Sequence, residues 1–78
     1  MTARLPSIDA LLAFEASARS SSFEAAAEAL HVSASAVAKR IAGLEDLLGV
    51  SLFTRAGKGL QLTPAGHDYL PQVREALS

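Results

Sequence analysis

The side chains of this chain that could do chemistry gather in one stretch. Ser33, Ser35, Ala36, Lys39 and Arg40 follow closely on one another, and Arg55 and Lys58 lie a little beyond, beside two glycines. Serine can donate or accept a hydrogen bond, lysine can donate to guanine O6/N7 or to a phosphate, and an alanine methyl can meet the thymine methyl. Ser22 and Ser33 stand where helices should begin, and free backbone N–H groups at a helix N-terminus suit phosphate oxygens. Arg55 and Lys58 would reach a flanking phosphate backbone or a minor groove. Each of these residues could also belong to an ordinary solvated face, so the elements that carry them decide between the two.

Catalytic and metal-binding patterns are missing from the sequence. It has no cysteine, no glycine-rich phosphate loop and no His-Glu-x-x-His spacing. His31 and His67 are too far apart along the chain to suggest a metal site, and His31 is read as a structural turn residue. Glu45 and Asp46 are adjacent, but neighbours on a helix point about 100° apart. Asp46 is therefore expected to be a surface charge and Glu45 to make a structural hydrogen bond. No enzymatic activity, metal or cofactor is expected.

The stretch from Ser22 to Leu48 should form two helices around a short corner. Phe23, Ala26, Ala27 and Leu30 share one face of a helical period, and Val37, Ile41, Leu44 and Leu48 share another. Only His31 and Val32 separate the two runs, with Ser33 as the next N-cap. Helices this close in sequence cross steeply, as in a helix-turn-helix. The corner has no glycine, so His31 is expected at positive φ, with Val32 folding back onto the helix end. With the second run facing inward, Ser35, Lys39, Ala42 and Asp46 face out, with Ala36 and Gly43 beside them. The first turns of such a recognition helix are where base edges are met.

Before this pair, Ser7 can cap a helix from Ile8 to about Arg19, with Asp9 suited to its dipole. Leu11, Phe14 and Ala18 form one stripe, and Ile8 and Leu12 widen it. A helix apolar on more than one side needs more than one neighbour: either a small crowded core or another subunit. Ser22 is the expected N-cap of the second helix, with a Ser21–Glu24 capping box as the alternative. After Gly49, a C′ glycine, Leu52-Phe53-Thr54 and Leu60-Gln61-Leu62 read as strands joined by Ala56-Gly57-Lys58-Gly59. A lone hairpin is marginal in water, so this wing must pack on the helices. Thr63-Pro64 opens a last helix, whose stripe is Tyr69, Leu70, Val73, Ala76 and Leu77. Pro71 should bend or weaken it.

Seventy-eight residues allow one domain. No apolar run approaches the ~20 residues of a membrane span, and the start has no signal-peptide pattern, so a cytoplasmic protein is expected. The net charge of −1 argues against nucleic acid, but its distribution softens that: residues 1–32 carry −2, residues 33–60 carry +2 and residues 61–78 carry −1. The field near a ligand is local, because charges beyond about 8–10 Å are screened at physiological salt.

Phe14, Ser22-Phe23, Ala26-Ala27, Leu30-His31-Val32-Ser33, Ala36-Val37, Ile41, Leu44-Glu45, Leu48-Gly49-Val50, Leu52-Phe53, Arg55, Leu62-Thr63 and Ala65-Gly66 together closely resemble the N-terminal domain of LysR-type transcriptional regulators. The opening Arg4-Leu5-Pro6-Ser7, with Ala10-Leu11 and Ala13-Phe14-Glu15-Ala16, resembles the subgroup of glycine-cleavage and β-lactamase activators. The resemblance implies a winged helix-turn-helix followed by a linker helix that pairs between two chains and packs on the first helix. It also implies a C-terminal effector domain, which these residues do not include, so an isolated DNA-binding domain is expected. Three positions depart from the family pattern: Ala34 stands where glutamine is usual, Ala38 where serine is usual, and Arg40 where glutamine is frequent.

The expected fold is thus mainly α: a winged helix-turn-helix over residues 1–63, three helices plus a two-stranded wing, and the start of a linker or dimerisation helix over 64–78. The expected partners are double-stranded promoter DNA and a second copy of the chain, with a higher oligomer open to a full-length protein. The expected DNA-facing set is Ser22, Ser33, Ala34, Ser35, Ala36, Ala38, Lys39, Arg40, Arg55 and Lys58, with the recognition helix spanning about 34–48. The expected dimerisation set is Ile8, Leu12, Tyr69, Leu70, Val73 and Leu77. The alternative is a protein-interaction module, a winged helix kept for dimerisation after its DNA face lost the glutamine and serine.

Overall fold

A computed structural model of the chain describes residues 5–55, 57 and 59–78. Four helices and one antiparallel pair of strands follow in the order α1 (Ile8–Ser20), α2 (Phe23–Leu30), α3 (Ala34–Leu48), β1 (Phe53–Thr54), β2 (Gln61–Leu62) and α4 (Pro64–Leu77). Every helix begins on a hydroxyl. The side chains of Ser7, Ser22, Ser33 and Thr63 accept the backbone N–H of Ala10, Ala25, Ala36 and Gly66 at 3.0, 3.1, 3.1 and 3.0 Å. Each such cap is worth about 1 kcal/mol, which matters in helices as short as the eight-residue α2.

The corner between α2 and α3 forms as expected. His31 lies at φ 60°, in the left-handed region. Its N–H goes to the Glu28 carbonyl at 3.3 Å, and Val32 N–H reaches back to the Ala27 carbonyl at 3.0 Å. These bonds satisfy carbonyls that the helix end would otherwise leave open. The corner between α1 and α2 settles the earlier alternative. Ser21 closes α1 at φ 53° while Ser22 caps α2, so a Ser21–Glu24 box does not form.

At the centre stands α1, packed against α2, α3 and α4. Phe14, Val37, Leu44, Leu52 and Val73 are fully buried side chains drawn from α1, α3, the approach to β1, and α4. Phe14 links the layers: its ring lies 5.4 Å from Phe53 and 5.5 Å from Tyr69. The Tyr69 phenol is pushed above its ordinary pKa by burial.

The wing pairs Phe53 with Leu62 and Thr54 with Gln61, and each strand is shorter than the three residues expected. Leu52 N–H is taken by the Glu45 carboxylate at 2.7 Å, and the Leu52 carbonyl accepts Thr63 N–H, one step further along the same register, where α4 is already being capped. Gly57 and Gly59 hold positive φ in the turn, as expected.

Pro71 does not break α4, which is helical from Pro64 to Leu77. It sits on the exposed face, where water can satisfy the carbonyl that loses its N–H partner, while Val73 anchors the other face at 2% exposure. Gly66 is the tightest point. A Cβ there would overlap the Leu52 carbonyl oxygen and come within 2.8 Å of Leu62 Cδ2, so α4 can cross the wing this closely only with glycine. Gly43, by contrast, has nothing among the described residues within 4 Å of where a Cβ would stand, so none of them uses the close backbone approach that a glycine in α3 allows.

Candidate nucleic-acid interface

Val37, Ile41 and Leu44 are buried and turn α3 so that Ser35, Lys39, Ala42 and Asp46 form its exposed stripe, with Gly43 exposed beside it. The chemistry-bearing residues of the first turns are therefore presented outward, as their spacing predicted. Among the described residues the ion pairs are Glu15 with Arg19 at 3.2 Å and Glu15 with Arg74 at 3.6 Å. Lys39, Arg40 and Arg55 take part in neither.

The other expected α3 positions are less open. Ala34, Ala36, Ala38 and Arg40 are half-buried, and Ala34 packs against the core. Arg40 lies on the flank, lining a groove with Leu5, Pro6, Ala10, Gly43 and Leu47. The Ser33 hydroxyl caps α3 and lies 3.2 Å from the Ser35 hydroxyl. At the start of α2, the Ser22 hydroxyl accepts Ala25 N–H and donates to Glu24 Oε1 at 3.3 Å. Both caps keep their helix N-termini in order, and the first backbone N–H groups of α2 and α3 remain open toward solvent ligands.

A second surface forms where the wing meets α2. Ser21, Ser22, Phe23, Glu24, Arg55, Gly57, Gly59 and Leu60 line one cleft. Arg55 is exposed, and its Cζ sits over the Phe23 ring, 5.1 Å from the centroid. Phe23 in turn meets Phe53 edge-on at 6.0 Å and 86°. Helical spacing marks Phe23 only as an apolar anchor of α2, and Arg55 stands in the sequence only as a wing cation. No local pattern joins two residues on separate elements, so the contact between them shows only in the folded chain. Lys58 and Ala56 lie outside the described residues.

The expected dimerisation set divides. Ile8 is 62% exposed and Leu12 38%, so both remain open on one side of α1. Tyr69, Leu70 and Leu77 are half-buried against the core. Val73 departs from the expectation: at 2% exposure it belongs to the core of its own chain and has no surface for a partner. The physical reason is that the α4 stripe is needed first to cover α1.

This arrangement, a tight α2–α3 corner at His31 and Val32 followed by a short antiparallel wing, defines a winged helix-turn-helix protein. The chain belongs to the lysR family of bacterial regulatory helix-turn-helix proteins, whose model matches residues 8–67. It is 54% identical over 77 residues to a carbapenem-hydrolysing β-lactamase transcriptional activator of Enterobacter cloacae, covering 99% of this chain and 26% of the relative. It is 45% identical over 78 residues to the glycine cleavage system transcriptional activator of Escherichia coli K12, covering 100% of this chain and 26% of the relative. These are the two activator types that the opening residues resemble. Among solved structures, a complex of the CbnR DNA-binding domain with DNA superposes with a TM-score of 0.86 at 38% identity, covering 91% of this chain and 82% of that one. An OxyR mutant of Corynebacterium glutamicum superposes at 0.94 with 30% identity, covering 97% of this chain and 24% of that one. The chain thus spans about a quarter of the length of the curated relatives it matches. No helix among the described residues is long and apolar enough to cross a membrane.

Proposed function

We propose that the chain binds double-stranded promoter DNA in a sequence-dependent way, as a dimer, and so regulates transcription in the cytoplasm without catalysing a reaction. Residues 1–63 form the reading unit and residues 64–78 begin the linker helix. In this reading α3 enters the major groove N-terminus first, with Ser35 and Lys39 at base edges or phosphates. Arg55 and the N-terminus of α2 take the flanking backbone. The observation that carries the reading is the exposed α3 stripe, with Lys39 free of the ion pairs seen elsewhere on a helix whose opposite face is fully committed to the core. The relatives' printed roles as transcriptional activators and the DNA held by a 38%-identical domain support it.

Two such domains related by a two-fold axis would read half-sites roughly 34–36 Å apart or a multiple of that. The half-buried Ala34 and Ala38 leave the reading face with few hydrogen-bonding groups, so sequence-dependent DNA shape should carry a large share of specificity. A second reading, a module for self-association alone, is favoured by one observation, the exposed Ile8 and Leu12. A gel-shift titration with promoter duplexes at two salt concentrations separates the two. DNA binding gives retardation that weakens as salt rises; a self-association module gives none at either concentration.

A further inference from the structure

We infer that Phe23 is a positioning residue for DNA binding: its ring holds the Arg55 guanidinium at the N-terminus of α2, so that the cation meets a phosphate already in place. The inference rests on the reading of Arg55 as a phosphate contact. Three observations carry it. The Arg55 Cζ lies 5.1 Å from the Phe23 centroid, within the ~6 Å at which a ring quadrupole attracts a cation. Phe23 is itself clamped, edge-on, by Phe53 at 6.0 Å, and Phe53 rests on Phe14 at 5.4 Å. Glu24 lines the same cleft but makes no ion pair with Arg55 among the described residues. The ring, and no carboxylate, holds the cation.

The geometry follows from the two elements. Phe53 and Arg55 are two residues apart, so an extended chain presents both to one side. Phe23, the first residue of α2, meets both, its ring perpendicular to that of Phe53 and beneath the Arg55 guanidinium carbon. A guanidinium can stack and still keep its N–H donors for a bidentate phosphate contact, whereas a lysine ammonium could not be held in that way. An ion pair with Glu24 would occupy those donors and cancel the charge; the aromatic contact does neither. The Phe23 ring thereby removes much of the side-chain freedom that Arg55 would otherwise lose on binding.

The test uses a fluorescently labelled duplex of mixed sequence, because a phosphate contact needs no particular operator. Affinity is measured over a range of salt for the unmodified chain, Phe23→Leu, Phe23→Tyr, Arg55→Ala and the double variant Phe23→Leu/Arg55→Ala. Phe23→Leu should weaken binding about two- to fivefold, the size of an exposed cation–π contact. Phe23→Tyr should restore it. Phe23→Leu should cause no further loss once Arg55 is alanine. If the two losses simply multiply, Phe23 acts through packing alone and the inference is overturned. An Arg55→Ala variant with unchanged affinity and salt slope would instead show that Arg55 meets no phosphate, removing the ground on which the inference stands. Nuclear magnetic resonance of the unmodified chain gives a check independent of any variant's folding: the Arg55 Hδ protons should be shifted upfield by the ring current of Phe23, and their appearance at random-coil positions would overturn the stack itself.

Discussion

The Glu45 carboxylate of α3 accepts the backbone N–H of Leu52 at 2.7 Å and, more weakly, that of Phe53 at 3.3 Å. One side chain thereby joins the recognition helix to the first wing strand and sets the height at which Phe53, and Arg55 beyond it, leave the helix. The two surfaces proposed to meet DNA are held in register through this contact.

Replacing Glu45 with alanine should therefore destabilise the fold by about 1–3 kcal/mol, because two part-buried backbone donors lose their acceptor. Glu45→Gln keeps an acceptor and should cost less. Urea unfolding followed by circular dichroism measures both. A change below about 0.5 kcal/mol for Glu45→Ala, the size of an ordinary surface substitution, would show that the bond contributes nothing to stability.

The two helical glycines should respond in opposite directions. At Gly66 a methyl group meets the Leu52 carbonyl and Leu62 Cδ2, and since backbone must move, Gly66→Ala should destabilise by about 1–3 kcal/mol. At Gly43 nothing among the described residues lies within 4 Å, so Gly43→Ala should stabilise α3 by about 0.5–1 kcal/mol. Thermal melts of the two variants, side by side, check the pair. A Gly66→Ala chain as stable as the parent would mean that α4 does not cross the wing as described.

Lys39 is the reading residue to test first. Lys39→Ala should weaken binding by about 1–3 kcal/mol and relax the preference at one base pair if the ammonium meets a base. Should it meet a phosphate, the loss will be uniform across sequences and the salt slope will fall by about one unit. Selection of bound duplexes from a random pool, repeated with the variant, separates these outcomes. An unaltered affinity and preference would remove Lys39 from the interface.

Ile8 and Leu12 should govern association without governing folding. Serine at both positions replaces apolar surface that is largely exposed at Ile8 (62%) and partly exposed at Leu12 (38%), so the melting temperature of the monomer should fall less than for a core substitution while any dimer weakens. Val73→Ala should do the reverse, destabilising the fold by about 2 kcal/mol through a lost buried side chain. Sedimentation equilibrium alongside thermal melts reads both quantities. Equal sedimentation of the parent and the double-serine variant would place the dimer contact elsewhere.

Much of this protein was legible from residues close together in the chain. The four hydroxyl caps, the left-handed His31, the Gly49 end of α3 and the outward stripe of Ser35, Lys39, Ala42 and Asp46 all follow from patterns no longer than a few turns of helix. Such features are governed by local hydrogen bonding and by which face is apolar, so the sequence by itself determined the helices, the corner and the family to which the chain belongs. The tertiary structure decided what those elements do to one another. It buried Val73 in the chain's own core while leaving Ile8 and Leu12 open, gave Leu52 and Phe53 to Glu45, required glycine where α4 crosses the Leu52 carbonyl, and placed Arg55 over Phe23. Each of these joins residues on different elements, and their meeting depends on how α1 packs against α2, α3 and α4 at once.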